Sequence, residues 1–253
     1  MKIGGLQKLT LVDYPNKIAA TVFLTGCNFK CGFCHNPSLV DVKRRTDLRN
    51  YGGLSSVEFF DFLKSKQGLI DGICVTGGEP TINSNLVEFI KRIKELNFSI
   101  KLDTNGSNPE MLQELIKQKL LDFIAMDIKT SVDVKNPKSH AYRQAGKIQN
   151  SKYDKATGTN VNIENIMKSV EIIKNSKIDY EFRTTVVPGI VNREDIERIG
   201  KWLKGVKKFS LQQFRNQKVL NKEFEKVIPY RDDTLKEFKK ILEKYIKNVE
   251  LRI

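Results

Sequence analysis

No stretch of this sequence approaches the roughly 18 consecutive apolar residues that cross a bilayer. The opening Met1-Lys2-Ile3-Gly4-Gly5 lacks the apolar run of a secretory signal. Both absences lead to the expectation of a soluble, cytoplasmic protein with no membrane partner. Internal repeats and low-complexity tails are absent as well. Dense basic runs are missing too, although the net charge is +14 and the pI is near 9.5. The excess is mostly lysine scattered over solvated helix faces, as at Lys236, Lys239, Lys240, Lys244 and Lys247. Nucleic acid is therefore not an expected partner, and an acidic protein is the functional alternative. Cysteine is sparse: there are four, and three fall within eight residues, too close together for a disulfide framework. Without a secretory signal, such clustering points to metal ligation. Apolar residues make up 40% of the chain, enough for an ordinary core.

Short β-branched runs alternate with longer helical patterns. Strands are expected at Ile18–Thr25, Gly72–Thr76, Ser99–Asp103, Phe123–Ile128, Asp179–Val187, Lys208–Gln213 and Val249–Ile253. Helices are expected at Ser56–Lys66, Asn85–Leu96, Pro109–Lys119, Ile163–Asn175, Arg193–Leu203 and Asp233–Lys247. Ser84 or Asn83 is the expected cap of the second helix. Asn108 is that of the third, with Pro109 at its first position. This alternation predicts an α/β fold, a partial (β/α)6 TIM-like barrel of parallel strands with outer helices. Two stretches break the rhythm. Asp41–Leu54 is polar and carries Arg44, Arg45 and Arg49. Ser131–Asn162 reads as a polar insertion without structure of its own, either a mobile lid or partner-binding segment or a surface addition.

In such barrels the chemistry gathers at the C-terminal ends of the strands. The unusual residues lie at four such ends: Thr25-Gly26-Cys27, Gly77-Gly78-Glu79-Pro80, Asp103-Thr104-Asn105-Gly106 and Asp127-Ile128-Lys129. Cys27, Cys31 and Cys34 have the spacing C-x3-C-x2-C. Three thiolates can hold three irons of a [4Fe–4S] cube and leave the fourth open to a small molecule, whereas a purely electron-carrying cluster usually has four Cys. The bland alternative is a structural Cys3His zinc site completed by His35 or His140. It is disfavoured because such sites usually come as two spaced ligand pairs. Cys74, inside a predicted strand, reads as a core residue. Gly77 and Gly78 let a ligand approach the backbone closely. Asp103 and Asp127 would be costly to bury unpaired. Lys129, two residues past Asp127, should project to the same side and offset the acids.

The segment Gly26–Pro37, GCNFKCGFCHNP, resembles radical S-adenosylmethionine (radical SAM) activating enzymes of the glycyl-radical type. The resemblance implies one radical SAM domain over 1–253, with a polar insertion at about 131–162. It also implies a [4Fe–4S] cluster on Cys27, Cys31 and Cys34, with SAM's amine and carboxylate on the open iron. Phe33 would sit near the adenine, with His35 and Asn36 in the same loop. Gly77, Gly78, Glu79 and Pro80 would lie against SAM's amine, Glu79 chiefly by ordering the loop. The segment Asp103, Thr104 and Asn105 matches an LDTNG motif of the family, and Asp127 with Lys129 its DxK pair. Arg183 is either a cofactor or partner contact or half of a buried ion pair. Leu211-Gln212-Gln213-Phe214 stands where related enzymes end a strand in Pro-aromatic-His, so Gln213 is the expected stand-in for that His.

The activity so implied is reductive cleavage of SAM to a 5′-deoxyadenosyl radical that abstracts hydrogen from a glycine of a partner enzyme. A low-potential donor such as flavodoxin or ferredoxin would supply the electron. The segment Gly5–Lys17 and the Leu-Gln-Gln-Phe strand end resemble the longer form of anaerobic ribonucleotide reductase-activating proteins. That reductase is therefore the expected partner of a monomeric activase. The alternatives are activation of pyruvate formate-lyase or another glycyl-radical enzyme, radical chemistry on a small molecule such as a deazapurine precursor, and a non-catalytic iron–sulfur electron carrier. No further cysteine cluster marks a second iron–sulfur centre.

Overall fold

The computed structural model describes residues 1–40, 53–132 and 151–253. Among them the strands are β1 (Ile3–Thr10), β2 (Ala19–Leu24), β3 (Gly72–Gly77), β4 (Ser99–Thr104), β5 (Phe123–Asp127), β6 (Asp179–Val186), β7 (Phe209–Gln213) and β8 (Val249–Arg252). The helices are α1 (Pro37–Val40), α2 (Ser56–Ser65), α3 (Leu86–Lys94), α4 (Pro109–Lys117), α5 (Ser151–Thr157), α6 (Ile163–Asn175), α7 (Arg193–Trp202) and α8 (Asp232–Leu242). The strands follow one another in the sheet in the order β1 to β8. Pairing is parallel from β2 to β4 and from β6 to β8, and β1 runs antiparallel to β2. The expected α/β fold is therefore present, with sequential parallel strands and intervening helices. Strands β2 to β8 lie where the alternation places them.

Strand β1 was not expected. Its sequence IGGLQKLT has no clean alternation, and only its end residues Ile3 and Thr10 are buried. It exists because β2 offers it an edge: Ile3 pairs with Leu24 and Leu6 with Val22. Strand β2 itself, AATVFL, is almost wholly buried, as expected of a parallel strand covered on both faces.

The described residues form two compact units. The first comprises Met1–Asn28, Asn36–Ala125 and Ser169–Asp179. Its core joins β2, β3 and β4 to α2 and α3, where Phe59 stacks on Phe89 at 5.3 Å and Phe60 meets Phe89 edge-on at 5.7 Å. Helix α2 starts in a capping box: Ser55 accepts from Glu58 N, and the Glu58 carboxylate accepts from Ser55 N. Asn108 caps α4 as expected, accepting from Met111 N at 3.1 Å. The expected cap of α3 is corrected. Asn85 holds the N-cap without a side-chain bond, because Asn83 donates instead to Pro80 O in the preceding turn. Cys74 is fully buried, as expected.

The second unit comprises Phe29–His35, Met126–Lys168 and Tyr180–Ile253. Asn192 and Asp195 form a capping box at the start of α7. Phe182, Phe209, Leu211 and Phe214 are fully buried core residues. The stretch Ser131–Asn162 was expected to be structureless. Residues 133–150 and the whole of 41–52, with Arg44, Arg45, Arg49 and His140, lie outside the described residues. The end of the stretch is not a loop, however. It forms α5, whose Tyr153 and Ala156 are fully buried.

Candidate functional site

In the first unit, the ends of β2, β3 and β4 are tied together by backbone contacts and one carboxylate. Gly78 N donates to Leu24 O at 2.9 Å and Glu79 N to Gly26 O at 2.8 Å. A Cβ on Gly78 would stand 2.0 Å from Gly26 O and 3.1 Å from Cys27 N, so only glycine allows this approach. Gly77 has φ +128°, a backbone conformation that side chains disfavour. Glu79 is buried beneath this cradle. Its carboxylate accepts from Thr81 N and Oγ1 at 3.1 and 2.5 Å, from Thr104 Oγ1 at 2.7 Å and from Asn105 N at 2.6 Å. Burial pushes its pKa up, against the pull of these four bonds. Glu79 therefore orders the loop, as its sequence context suggested, and Pro80 is buried at the start of the 3-10 turn Pro80–Ile82.

The same loop absorbs Thr104 and Asn105. Asn105 Nδ2 donates to Asn28 Oδ1 at 3.0 Å, and Asn28 Nδ2 donates to Ser107 Oγ at 2.8 Å. Asp103 pairs with Lys101, whose ammonium is almost completely buried and lies 3.6 Å from Cys74 Sγ. Sequence reasoning missed Lys101. The signal was available, since Lys101 and Asp103 stand two residues apart on one strand, as do Asp127 and Lys129. Cys27 is half-buried, and Asn36 is exposed on the turn whose carbonyl receives Leu39 N.

In the second unit, Asp127 is held between two cations. Lys129 Nζ lies 2.9 Å from Oδ2 and Arg183 Nε 2.8 Å from Oδ1. Burial works to raise the Asp127 carboxyl, but the Arg183 guanidinium and the Lys129 ammonium overcome it and hold it well below the usual carboxylate range. Burial works to lower Lys129, and Asp127 and the Cys31 thiol more than reverse it, holding the ammonium charged. Arg183 is thus engaged in an ion pair. Tyr153, also missed from sequence, lies beneath this array, its phenol accepting from Lys129 N at 3.4 Å. Burial raises the phenol, so it stays protonated.

Cys31 and Cys34 sit on a turn closed by Cys34 N to Cys31 O at 3.0 Å. Burial pushes the Cys31 thiol up to about 11, with Lys129 the largest opposing influence. The loop is braced on two sides. Lys30 N donates to Thr157 O at 2.7 Å, and Asn221 N donates to Gly32 O at 2.9 Å. Phe33 is buried, its ring 6.0 Å from that of Phe224, a covering residue that carried no sequence signal. The His35 ring is 6.2 Å from that of Phe214. Its pKa is lowered, chiefly by burial and further by Arg215. Gln213 Nε2 donates to Tyr230 O at 2.7 Å, while its Oε1 is buried with no partner among the described residues.

None of the four cysteines is in a disulfide. Among the described residues no three His, Cys, Asp or Glu side chains stand in a metal-holding arrangement. The donor chemistry nevertheless suits an iron–sulfur cluster: soft thiols on a short braced loop, beside a permanent cation that favours thiolate.

Residues 21–203 match the model of the radical SAM superfamily, and the chain belongs to that superfamily. It is a radical SAM enzyme, and membership implies a [4Fe–4S] cluster and SAM as cofactors. Among curated relatives it is similar to "Putative glycyl-radical enzyme activating enzyme" of Methanocaldococcus jannaschii, 34% identical over 99% of this chain and 95% of that one. It is also similar to the pyruvate formate-lyase-activating enzyme of Streptococcus mutans, 28% identical over 94% of this chain and 81% of that one. Among solved structures, Streptococcus suis SuiB bound to S-adenosylmethionine superposes with a TM-score of 0.62 at 16% identity, over 92% of this chain and 52% of the other. Archaeal TYW1 does so with a TM-score of 0.53 at 15% identity, over 90% and 72%. These structural likenesses establish the fold. No helix among the described residues is long and apolar enough to cross a membrane.

Proposed function

We propose that this enzyme activates a glycyl-radical partner, taking hydrogen from a glycine of another protein. The observation that carries the reading is the near full-length likeness to a relative bearing an activating-enzyme name, joined to a C-x3-C-x2-C loop braced beside Lys129. Cys27, Cys31 and Cys34 would hold the cluster, and the whole chain 1–253 would work as one radical SAM domain. Bound together, cluster and SAM supply one-electron cleavage of a sulfonium and a carbon-centred radical able to take a hydrogen atom.

This chain's own residues bind and orient. The carbonyls of the Gly77–Gly78 cradle can receive SAM's ammonium, and the Lys129 ammonium can receive its carboxylate. Asp127 and Arg183 hold that lysine in place. Gln213 Oε1 lacks a donor, and the adenosine portion of SAM can provide one. Thr104, Asn105, Glu79 and Pro80 act through the loop they order, and Asp103 through Lys101. Phe33 with Phe224, and His35 with Phe214, shield the cysteine turn from water. An anaerobic ribonucleotide reductase is the partner we favour, on the likeness of Gly5–Lys17 and Leu211–Phe214 to its activating proteins. A low-potential flavodoxin or ferredoxin would supply the electron to a monomeric activase in the cytoplasm. Pyruvate formate-lyase is the second reading, favoured by the S. mutans relative.

The test is anaerobic reconstitution, reduction and detection of 5′-deoxyadenosine, followed by electron paramagnetic resonance of each candidate partner. A glycyl doublet in the reductase supports the favoured reading. A doublet only in a formate-lyase moves the reading there. Cleavage with neither doublet rejects both partners, and no cleavage from an intact, reducible cluster rejects the activity.

A further inference from the structure

A cavity of about 410 Å³ opens in the second unit, lined among others by His35, Thr185, Gln212, Gln213, Arg215 and Arg252. None of its described lining side chains is acidic. The two guanidiniums differ. Arg252 is bound by buried Glu181 through both Nη atoms, at 3.1 and 2.7 Å, so most of its charge is already answered. Arg215 is exposed and has no acidic partner among the described residues. His35 ties this pocket to the cluster loop, since it directly follows Cys34. Ile253 adds an apolar wall, and the other lining groups are amides and a hydroxyl, which donate and accept alike and suit a peptide main chain. Gln213 Oε1 is left to the adenosine portion of SAM, so the cavity borders the cofactor and the polar groups it offers a peptide are those of Thr185 and Gln212.

A ligand for this cavity thus needs an anionic group for Arg215 and main-chain-like donors and acceptors alongside. We propose that the pocket is a substrate subsite for an acidic polypeptide segment, with Arg215 receiving a carboxylate side chain close to the reacting residue. The assignment rests on the activase reading for its polypeptide partner, and the net charge of +14 suits the same kind of partner at longer range. The cavity is of a size that takes a few side chains rather than a whole domain, since ligand pockets run from roughly 300 to 1,000 Å³.

The test is fluorescence anisotropy on the reconstituted protein with SAM present. The probe is a labelled, end-capped heptapeptide with glycine at its centre and glutamate on either side, compared with the same peptide carrying glutamine. The acidic peptide is expected to bind about three- to fivefold tighter, the upper end of what one exposed ion pair provides. The preference should fall below about twofold in Arg215→Gln and return in Arg215→Lys. Arg215 is exposed, so the variant should fold, which an unchanged melting temperature checks. Equal binding of the two peptides, or no binding of either at millimolar concentration, overturns the proposal. So does displacement of the acidic peptide by free glutamate or inorganic phosphate at concentrations matching the peptide's own affinity, which would mark a small-anion site. Anisotropy requires no SAM cleavage and no glycyl doublet. Failure of the pocket assignment and failure of the activase reading are therefore separate results.

Discussion

Two carboxylates, Glu79 buried and Asp127 half-buried, hold the two units' strand ends, and they do so by opposite means. In the first unit Glu79 gathers four neutral donors from the end of β4 and from the turns that follow β3 and β4. In the second unit Asp127 lies between Lys129 and Arg183. Burial therefore wins at Glu79, whose pKa rises, and the cations win at Asp127, whose pKa falls. The neutral arrangement lets three backbone segments approach within glycine distance and is indifferent to salt. The ionic arrangement keeps the Lys129 ammonium charged, where a carboxylate ligand can share it. One unit thus offers carbonyls to a cation, the other a cation to an anion.

The contrast can be broken most completely at the cysteines. Replacing Cys27, Cys31 or Cys34 by Ala should abolish iron and sulfide retention and SAM cleavage together. Full cleavage by any one variant would refute the ligand assignment. Next in size is Gly78→Ala. Its Cβ would meet backbone rather than a flexible side chain, so a loss of about 2–4 kcal/mol is expected from thermal or urea unfolding. A near-neutral result would show that the cradle can move.

Glu79→Gln sharpens the comparison through pH. A raised folded pKa means that Glu79 contributes most stability below its unfolded value of about 4.3, and that this contribution fades as pH rises through the folded value. The variant should lose about 2 kcal/mol at pH 5, since an amide cannot accept all four bonds. The deficit should narrow towards pH 8. A deficit that widens instead would put the four hydrogen bonds, not burial, in control. Asp127 has the reverse sign: its stabilisation is present above about 3.9 and lost as pH falls towards the depressed folded value. Lys129→Ala should weaken SAM binding about tenfold, or about 1.4 kcal/mol, while iron content stays unchanged. Unchanged affinity in calorimetry would return Lys129 to a purely structural role. The smallest effect belongs to Cys74→Ala, about 1 kcal/mol of stability with cluster content intact.

Much of this was legible in the chain. Strands β2, β3 and β5 were visible as largely apolar runs, and β4, β6, β7 and β8 from the alternation with helical patterns around them. β1 was not, because an edge strand takes its conformation from the neighbour it pairs with. The DxK pair was readable from the two-residue period of a strand, and the same period would have disclosed Lys101 beside Asp103. Tyr153 and Phe224 could not be found that way. Each comes from a distant stretch outside the regular alternation, and nothing in the local pattern says what it will pack against.

The sequence by itself determined the family and the cofactor chemistry, because thiol spacing and glycine placement are local and a ligand set needs only a few residues in order. Only the tertiary structure decided how each charge is answered. Whether Arg183 is free or paired, whether Glu79 meets cations or hydroxyls, and which arginine is left for a ligand all depend on segments far apart in the chain. Burial and Coulomb interaction act through space, not along the chain.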